Sequence, residues 1–301
     1  MQQNNQQKIY SLLADKTIGL SISESEDLKT LGFNESHLVD AKVEIARHFL
    51  SFGAILMYGG DLRNNGYTNI LLELVDSYKP SNINEDRLSL INYLGWPLHI
   101  TLSEEIKASY SERISFKTHG LPDDLPRKLS AKKILNPITP KDFYAWARSM
   151  TFMREEMTKN NNARIVLGGK TLGYKGKYPG IVEEIYLSLK ANKPTFLIGA
   201  FNGATGDAIS ALLGKKPERL SFDFQNSSKE LKQRTDYYNE HKPKEIKEID
   251  YEYLVSFFNK KGIESLNNGL TEEENRRLFK TVHIPEMISL ILKGLVTIFN
   301  K

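Results

Sequence analysis

The chain has 301 residues, of which 40% are hydrophobic and 26% are charged, and its formal net charge is +4. This composition is typical of a globular protein with a proper core. Lysine and arginine are interleaved with acids along the whole chain, which disfavours a nucleic acid as partner. The sequence contains no cysteine, so disulfides and thiolate metal sites are excluded, as fits a reducing compartment. We expect a soluble, cytoplasmic protein.

Neither end of the chain has the pattern of a membrane segment. Residues 1–8 are polar and rich in glutamine and asparagine, without the apolar run of a secretory signal, and we expect a flexible tail over 1–14. The apolar stretch 284–299 contains Glu286 and Lys293 and is too short to span a bilayer comfortably. It is predicted to be a helix that is buried or covered by a partner.

Strands and helices alternate over the first 215 residues. Apolar runs predict strands over 17–22, 54–58, 98–102, 113–116, 164–167 and 195–198. Helical spacing of apolar residues predicts helices over 36–51, 68–78, 181–189 and 204–213. Pro140 opens a further helix that ends near residue 160, after a predicted loop over 117–140. This order is typical of an α/β protein with a Rossmann-like parallel sheet and helices on both faces.

The character of the chain changes after Pro217, where glycine-ended strands stop. Helices are predicted near 228–240, 250–260, 272–279 and 285–299. We therefore expect a tail over 1–14, a ligand-binding domain over 15–215 and a mostly helical C-terminal extension over 216–301. A separate small C-terminal domain is the alternative.

Small residues stand at the predicted carboxyl ends of several strands, which is where ligands bind in an open parallel sheet. These ends are Ser21 to Ser23, the turn Gly59-Gly60-Asp61, the turn Gly168-Gly169-Lys170, and Gly199 with Gly203. One glycine turn alone is more often structural, but several together favour a pocket for phosphate or ribose. The chain lacks Gly-x-x-x-x-Gly-Lys-Ser/Thr and a strand-linked Gly-x-Gly-x-x-Gly, which disfavours a P-loop protein or an ordinary NAD dehydrogenase.

Single residues near these turns allow two interpretations each. The guanidinium group of Arg63 either binds a phosphate through two hydrogen bonds or forms a salt bridge with Asp61. Asp61 either accepts hydrogen bonds from ribose hydroxyls or caps the next helix. Lys170 either neutralises phosphate or is a solvated loop lysine. Tyr67 and Tyr174 either stack on a base or only pack.

The sequence offers no pattern for a metal or for a serine nucleophile. Its six histidines are far apart and lack His-x-x-x-His spacing, and there is no Gly-x-Ser-x-Gly. We expect no metal site and no cofactor.

Two glycine motifs resemble those of the SLOG superfamily: Gly59-Gly60-Asp61, and Gly168-Gly169 followed by Pro179-Gly180-Ile181-Val182-Glu183-Glu184. That superfamily includes the lonely-guy phosphoribohydrolases, DNA-processing protein A, the N-terminal domains of TRPM channels and sensor domains of bacterial anti-phage effectors. The likeness runs over most of residues 15–215 and looks closest to the prokaryotic sensor-like branch.

The chain departs from the phosphoribohydrolase motif Pro-Gly-Gly-x-Gly-Thr-x-x-Glu. Gly180 matches its last glycine and Glu184 its glutamate, but residues 173–179 are inserted and Ile181 replaces the threonine. The helix before the motif offers Arg154 one residue out of step with the family's catalytic arginine, and Arg148 further back. These departures affect hydrolysis more than binding, since the phosphate cradle depends on backbone amides whereas hydrolysis needs side chains in register.

The resemblance implies a binding site at the strand ends and around the second glycine motif. The residues assigned to ligand binding are Ser21, Ser23, Gly59, Gly60, Asp61, Arg63, Gly168, Gly169, Lys170, Gly173, Gly180, Glu183 and Glu184. If the protein is an enzyme, Glu184 and Arg154 are the expected catalytic residues. For Glu183 and Glu184, favourable placement at a helix start is the competing interpretation.

The leading hypothesis is a sensor that binds a nucleotide-derived signal of ADP-ribose or cyclic-nucleotide type, in bacterial anti-phage defence. The rival hypothesis is an N-glycosidase or phosphoribohydrolase acting on nucleotides, and a single-strand DNA binder is the third. We also expect a homo-oligomer, because the helix over 284–299 is apolar nearly all round and needs cover on more than one side.

Overall fold

The computed structural model describes residues 13–62, 66–77, 88–110, 113–129 and 134–300. In these residues six strands form one sheet: β1 (Thr17–Ser23), β2 (Ile55–Gly59), β3 (Leu90–Gly95), β4 (Ile114–His119), β5 (Ala163–Gly168) and β6 (Thr195–Ile198). All neighbours are parallel, in the order β4-β3-β2-β1-β5-β6. The predicted α/β fold with a Rossmann-like parallel sheet is confirmed.

The α-helices in the described part of the chain connect these strands and then form the C-terminal extension. They are α1 (Glu35–Ser51), α2 (Tyr67–Ser77), α3 (Glu104–Ala108), α4 (Pro140–Asn160), α5 (Gly180–Lys190), α6 (Gly203–Leu212), α7 (Phe222–Gln225), α8 (Lys229–His241), α9 (Tyr251–Lys261), α10 (Glu272–Leu278) and α11 (Ile284–Phe299). As predicted, Pro140 stands in the first turn of α4, behind a capping box formed by Thr139 and Asp142.

Helices cover both faces of the sheet and create two apolar cores. One core contains Phe49 of α1, Leu72 of α2 and Ile291 of α11. The other contains Met157 of α4 and Phe258 of α9, together with residues of α5, α6 and α8. Most strands are therefore buried on both sides, which explains why they appear in the sequence as short continuous apolar runs, whereas the edge strand β4 is partly exposed. The C-terminal extension contributes to both cores.

One predicted strand is wrong. Residues Leu98–Thr101 form a 3-10 helix, and the strand between β2 and β4 is β3, which the sequence analysis missed. Leu98 and Ile100 are apolar because they pack against the core from this turn. A segment this short cannot be assigned by periodicity alone. The predicted loop over 117–140 also begins too early, because β4 continues to His119, and it includes a 3-10 helix at Arg127–Leu129.

The order of the strands reverses at β1. The chain passes outward through β2, β3 and β4 and then returns to β5 on the other side of β1. Such a reversal opens a crevice at the carboxyl ends of the two strands. At this point Ser23 of β1 is in register with Gly168 of β5, and β2 ends at Gly59, one residue after Tyr58, which pairs with Leu20 of β1.

The last helix packs inside this chain. Met287, Ile291 and Leu295 of α11 are buried and belong to the core that α1 and α2 also form. Leu292 and Ile298 are partly buried against the same core. The packing of α11 within one chain does not test association between chains, so the homo-oligomer remains a prediction. None of the helices in the described ranges is long and apolar enough to cross a membrane.

Candidate functional site

The second glycine turn is tight, and its backbone groups are engaged within the protein. Gly168 and Gly169 have φ of +66° and +104°, and a Cβ on Gly168 would lie 2.6 Å from the carbonyl oxygen of Ser23. The amide of Gly169 donates to the carbonyl of Glu24 at 3.0 Å, and its carbonyl accepts from the amide of Ala204 at 2.9 Å. Glycine is therefore required here for geometry, whether or not a ligand binds.

An internal carboxylate occupies the nearby N-terminus of α6. Asp27 accepts hydrogen bonds from the amide of Gly203 at 2.9 Å and from the side-chain amide of Asn202 at 2.7 Å. Arg219, from the C-terminal extension, reaches the same carboxylate at 2.9 Å. A helix N-terminus attracts anions, and here the protein supplies its own. Lys170 is also engaged, in an exposed ion pair with Glu24 at 2.6 Å.

Glu184 lies at the centre of a buried polar cluster and is only 7% exposed. Its Oε2 accepts the hydroxyl of Ser21 and the Nη1 of Arg164, the latter at 2.7 Å. Its Oε1 lies 3.4 Å from the Nε of Arg154. Both oxygens of the predicted catalytic carboxylate therefore face groups of the protein itself.

Arg154 joins the two glutamates at the start of α5. Its Nη1 lies 2.5 Å from Oε2 of Glu183, and Oε1 of the same carboxylate accepts the hydroxyl of Thr151. A Cβ on Gly180 would lie 2.7 Å from Nη2 of Arg154, so the glycine makes room for the guanidinium. The structure thus brings together the arginine and the glutamates that the resemblance suggested, in spite of the shift in register.

Arg164 is the residue of this cluster that the sequence analysis missed. It lies on β5, is fully buried and donates from Nε to Ser188 at 2.7 Å, from Nη1 to Ser21 at 2.7 Å and from Nη2 to Thr158 at 3.2 Å. Burial lowers the pKa of Arg164, and the nearby Glu184 opposes that shift. The sequence feature that could have identified this residue is an arginine inside an apolar strand. A charged residue in a strand that is buried on both faces of the sheet needs partners.

The first glycine turn also has unsatisfied polar groups, as does the glutamate–arginine cluster, where Nε of Arg154 is buried without a hydrogen-bond partner among the described residues. The side-chain Nδ2 of Asn92 donates to the carbonyl of Gly60 at 3.3 Å, but its Oδ1 is buried without a partner among the described residues. The buried hydroxyl of Thr68, in the first turn of α2, also lacks a partner within the described ranges. It lies 2.9 Å from where a Cβ on Gly60 would stand. A Cβ on Gly59 would lie 2.7 Å from the sulfur of Met157, so α4 closes this turn from behind.

The remaining predicted residues fall into three groups. Asp61 lies at this turn and is partly exposed, whereas Arg63 lies outside the described residues. Tyr67 packs edge-on against Tyr58 and donates its hydroxyl to the carbonyl of Lys42 at 3.0 Å, which is the packing interpretation. Tyr174 packs too: its hydroxyl donates to Gln225 at 2.9 Å and contacts Tyr251, on the side of the C-terminal extension. Gly173, with φ of +70°, is exposed in the inserted loop.

A protein-family model matches residues 12–278, and its description is SLOG cluster2. The chain belongs to the SLOG cluster2 family. The resemblance of the two glycine motifs to SLOG proteins is therefore confirmed, and the match also includes helices α8, α9 and α10 of the C-terminal extension. For this SLOG protein, family membership indicates a nucleotide-related binding or processing role. No curated protein and no solved structure matches the chain.

Proposed function

We propose that this SLOG protein binds a nucleotide-derived signal of ADP-ribose or cyclic-nucleotide type and does not hydrolyse it. The observation that carries the proposal is a pair of buried atoms at the first glycine turn, Oγ1 of Thr68 and Oδ1 of Asn92, which find no hydrogen-bond partner in the described part of the chain. A buried polar group without a partner costs about 1–3 kcal/mol, and a ligand that forms a hydrogen bond with it would remove that cost.

The geometry of this turn suits a phosphate and a ribose. Gly59 and Gly60 carry no side chains, and α2 begins at Tyr67 with its positive dipole end near this turn. The hydroxyl of Thr68 can donate to a phosphate oxygen, and Oδ1 of Asn92 can accept from a ribose hydroxyl. Asp61 adds a carboxylate at the same edge, within reach of the second ribose hydroxyl of a nucleotide.

The glutamate–arginine cluster supports binding without hydrolysis. A general base needs a lone pair directed at water or substrate. Glu184 directs one oxygen at Ser21 and Arg164 and the other at Arg154, and Glu183 pairs with the same Arg154. Two arginines compensate two carboxylates in a buried cluster, which favours a structural role for the pair.

Isothermal titration calorimetry of the full chain with ADP-ribose, cyclic AMP and AMP tests this proposal. We expect saturable binding of at least one of these, weakened about ten-fold by Thr68→Val, since a hydrogen bond to a charged group contributes about 1.5–3 kcal/mol. The variant should not be less stable, because the hydroxyl makes no hydrogen bond with any residue that the structure describes.

Thr205→Val is the matched control. Its hydroxyl is also buried near a helix start, but it donates to the carbonyl of Gly168 at 2.7 Å. The control should therefore lose stability and keep its affinity. Unchanged affinity in Thr68→Val, or no binding of any of these molecules to the full chain, would contradict the proposed site.

The second candidate function is an N-glycosidase or phosphoribohydrolase, and the match of Gly180 and Glu184 to the phosphoribohydrolase motif favours it. Incubation of the protein with AMP or NAD, followed by chromatography for the released base, separates the two functions. We expect no release. Turnover that disappears in Glu184→Gln would replace the sensor proposal by the enzymatic one.

The sensor proposal includes a place in bacterial anti-phage defence and a homo-oligomeric state. The first is supported by the resemblance to sensor domains of anti-phage effectors. The second is supported by the apolar character of α11, which has partly exposed residues outside its buried stripe.

A further inference from the structure

A small cavity of about 40 Å³ lies between the inserted loop over 173–179 and the C-terminal extension. Its walls come from the first turns of α4, from this loop, from α8 and from the start of α9. The hydroxyls of Tyr174 and Tyr251 contact each other at one wall, and Gln225 accepts from Tyr174 at 2.9 Å. The cavity has room for about three water-sized groups, which is the size of a small oxyanion.

Cations line this cavity and acids do not. Lys177 and Arg234 are both wall residues, and no aspartate or glutamate of the described ranges is among the residues that form the wall. Five aromatic residues also line the cavity, among them Phe143, Tyr144 and Tyr238. A low-dielectric wall with two positive charges attracts a negative group more strongly than the same charges would in water.

Neither cation has a carboxylate partner among the described residues. Lys177 is only 9% exposed, and the protein gives its ammonium one hydrogen bond, to the carbonyl of Lys247 at 2.7 Å. The guanidinium of Arg234 lies over the ring of Phe143, 3.3 Å from its centre. Lysine is almost never fully buried without a paired charge, and an ammonium has three protons to donate.

The carboxylate whose charge acts most strongly on Lys177 is Glu183, and it is already compensated. Glu183 lies behind Gly176, where a Cβ would stand 3.3 Å from its Oε2 and 2.7 Å from Nη1 of Arg154. Because Glu183 pairs with Arg154 at 2.5 Å, its charge does little to exclude an anion from the cavity. Burial lowers the pKa of Lys177 to about 8, so that the ammonium is still mostly protonated at neutral pH.

We infer that this cavity is a binding site for a small oxyanion, a phosphate or a carboxylate, held by Lys177 and Arg234. The anion is either free or the terminal group of a small molecule whose remainder lies outside. This site is separate from the first glycine turn, so the oxyanion site and the proposed nucleotide site can be tested independently.

Thermal unfolding of the full chain, titrated with sodium phosphate, sodium acetate or AMP at constant ionic strength, tests this inference. We expect at least one of these anions to raise the melting temperature in a saturable way that an equal ionic strength of sodium chloride does not reproduce. Lys177→Met should weaken that effect at least ten-fold, because a buried charge-assisted contact is lost. Lys177→Met removes an unpaired buried charge, and circular dichroism should find it folded.

Lys175→Met is the matched control from the same loop. Lys175 lies over the ring of Trp146 and is not a wall residue of the cavity, so this variant should respond to the anion like the original protein. A response to inorganic phosphate or acetate identifies a site for the free anion, and a response to AMP alone identifies the terminal group of a larger molecule. Equal responses in Lys177→Met and Lys175→Met, or no saturable response to any of these anions, would overturn the inference.

Discussion

The buried arginine of β5 gives the sharpest test of how the polar cluster is held together. Replacing Arg164 by methionine keeps the length of the side chain but removes its hydrogen bonds to Ser21, Thr158, Glu184 and Ser188. Glu184 then remains buried, with Arg154 at 3.4 Å as its remaining cation. The loss of one partner from a buried ion pair destabilises a protein by about 3–5 kcal/mol, because the other charge is left without compensation.

Urea denaturation of the full chain measures this loss as a difference in the free energy of unfolding. A destabilisation of about 5 kcal/mol corresponds to a drop in melting temperature on the order of 10 °C. Arg276→Met is the matched control, because Arg276 pairs with Glu272 at 2.7 Å on the surface of α10. An exposed pair of this kind contributes about 0–1 kcal/mol.

The double variant Arg164→Met/Glu184→Gln tests whether the loss of stability comes from the carboxylate of Glu184, which remains buried without the charge of Arg164. Glutamine is neutral and can still accept from Ser21, so the double variant should be more stable than Arg164→Met alone. A cost below 1 kcal/mol for Arg164→Met, or losses that simply add in the double variant, would refute the reasoning.

Three further predictions follow from single positions. Gly169→Ala should destabilise the protein more than Gly173→Ala. Both glycines have positive φ, but only an alanine at position 169 would place its Cβ 2.6 Å from the side chain of Ile181. Urea denaturation measures the two free energies of unfolding. The pKa of Lys177 is lowered by burial from 10.5 to about 8, so the unfolded state binds its proton more tightly between these pH values. The free energy of unfolding should therefore rise by roughly 3 kcal/mol through this group as the pH rises from about 8 to 10.5. A Lys177→Met variant should lack this part of the rise. Light scattering at micromolar concentration should give a mass above 34.3 kDa that Leu292→Glu reduces, and a clean monomer with and without ADP-ribose would contradict the homo-oligomer.

Much of the fold could be predicted because most of its strands are buried on both faces. Such strands appear as short apolar runs ending in glycine, as at Gly59 and Gly168, and the helices between them keep their periodicity and caps. The strand Leu90–Gly95 was missed because the more strongly alternating segment after Pro97 competed with it. The two glycine motifs were sufficient to indicate the SLOG superfamily.

The sequence by itself determined the parallel sheet, the glycine turns and the residue types at the strand ends, since these depend on local periodicity and backbone freedom. It placed Glu184 and Arg154 as candidates, but not the partners that hold them. Only the tertiary structure decided that Arg164 faces Glu184 and that Asp27 occupies the start of α6. It also decided that Oγ1 of Thr68 and Oδ1 of Asn92 are buried without a partner among the described residues. The physical reason is that an electrostatic or hydrogen-bond partner can lie anywhere along the chain. Ser21 and Glu184 are 163 residues apart, and packing of the sheet alone brings them into contact.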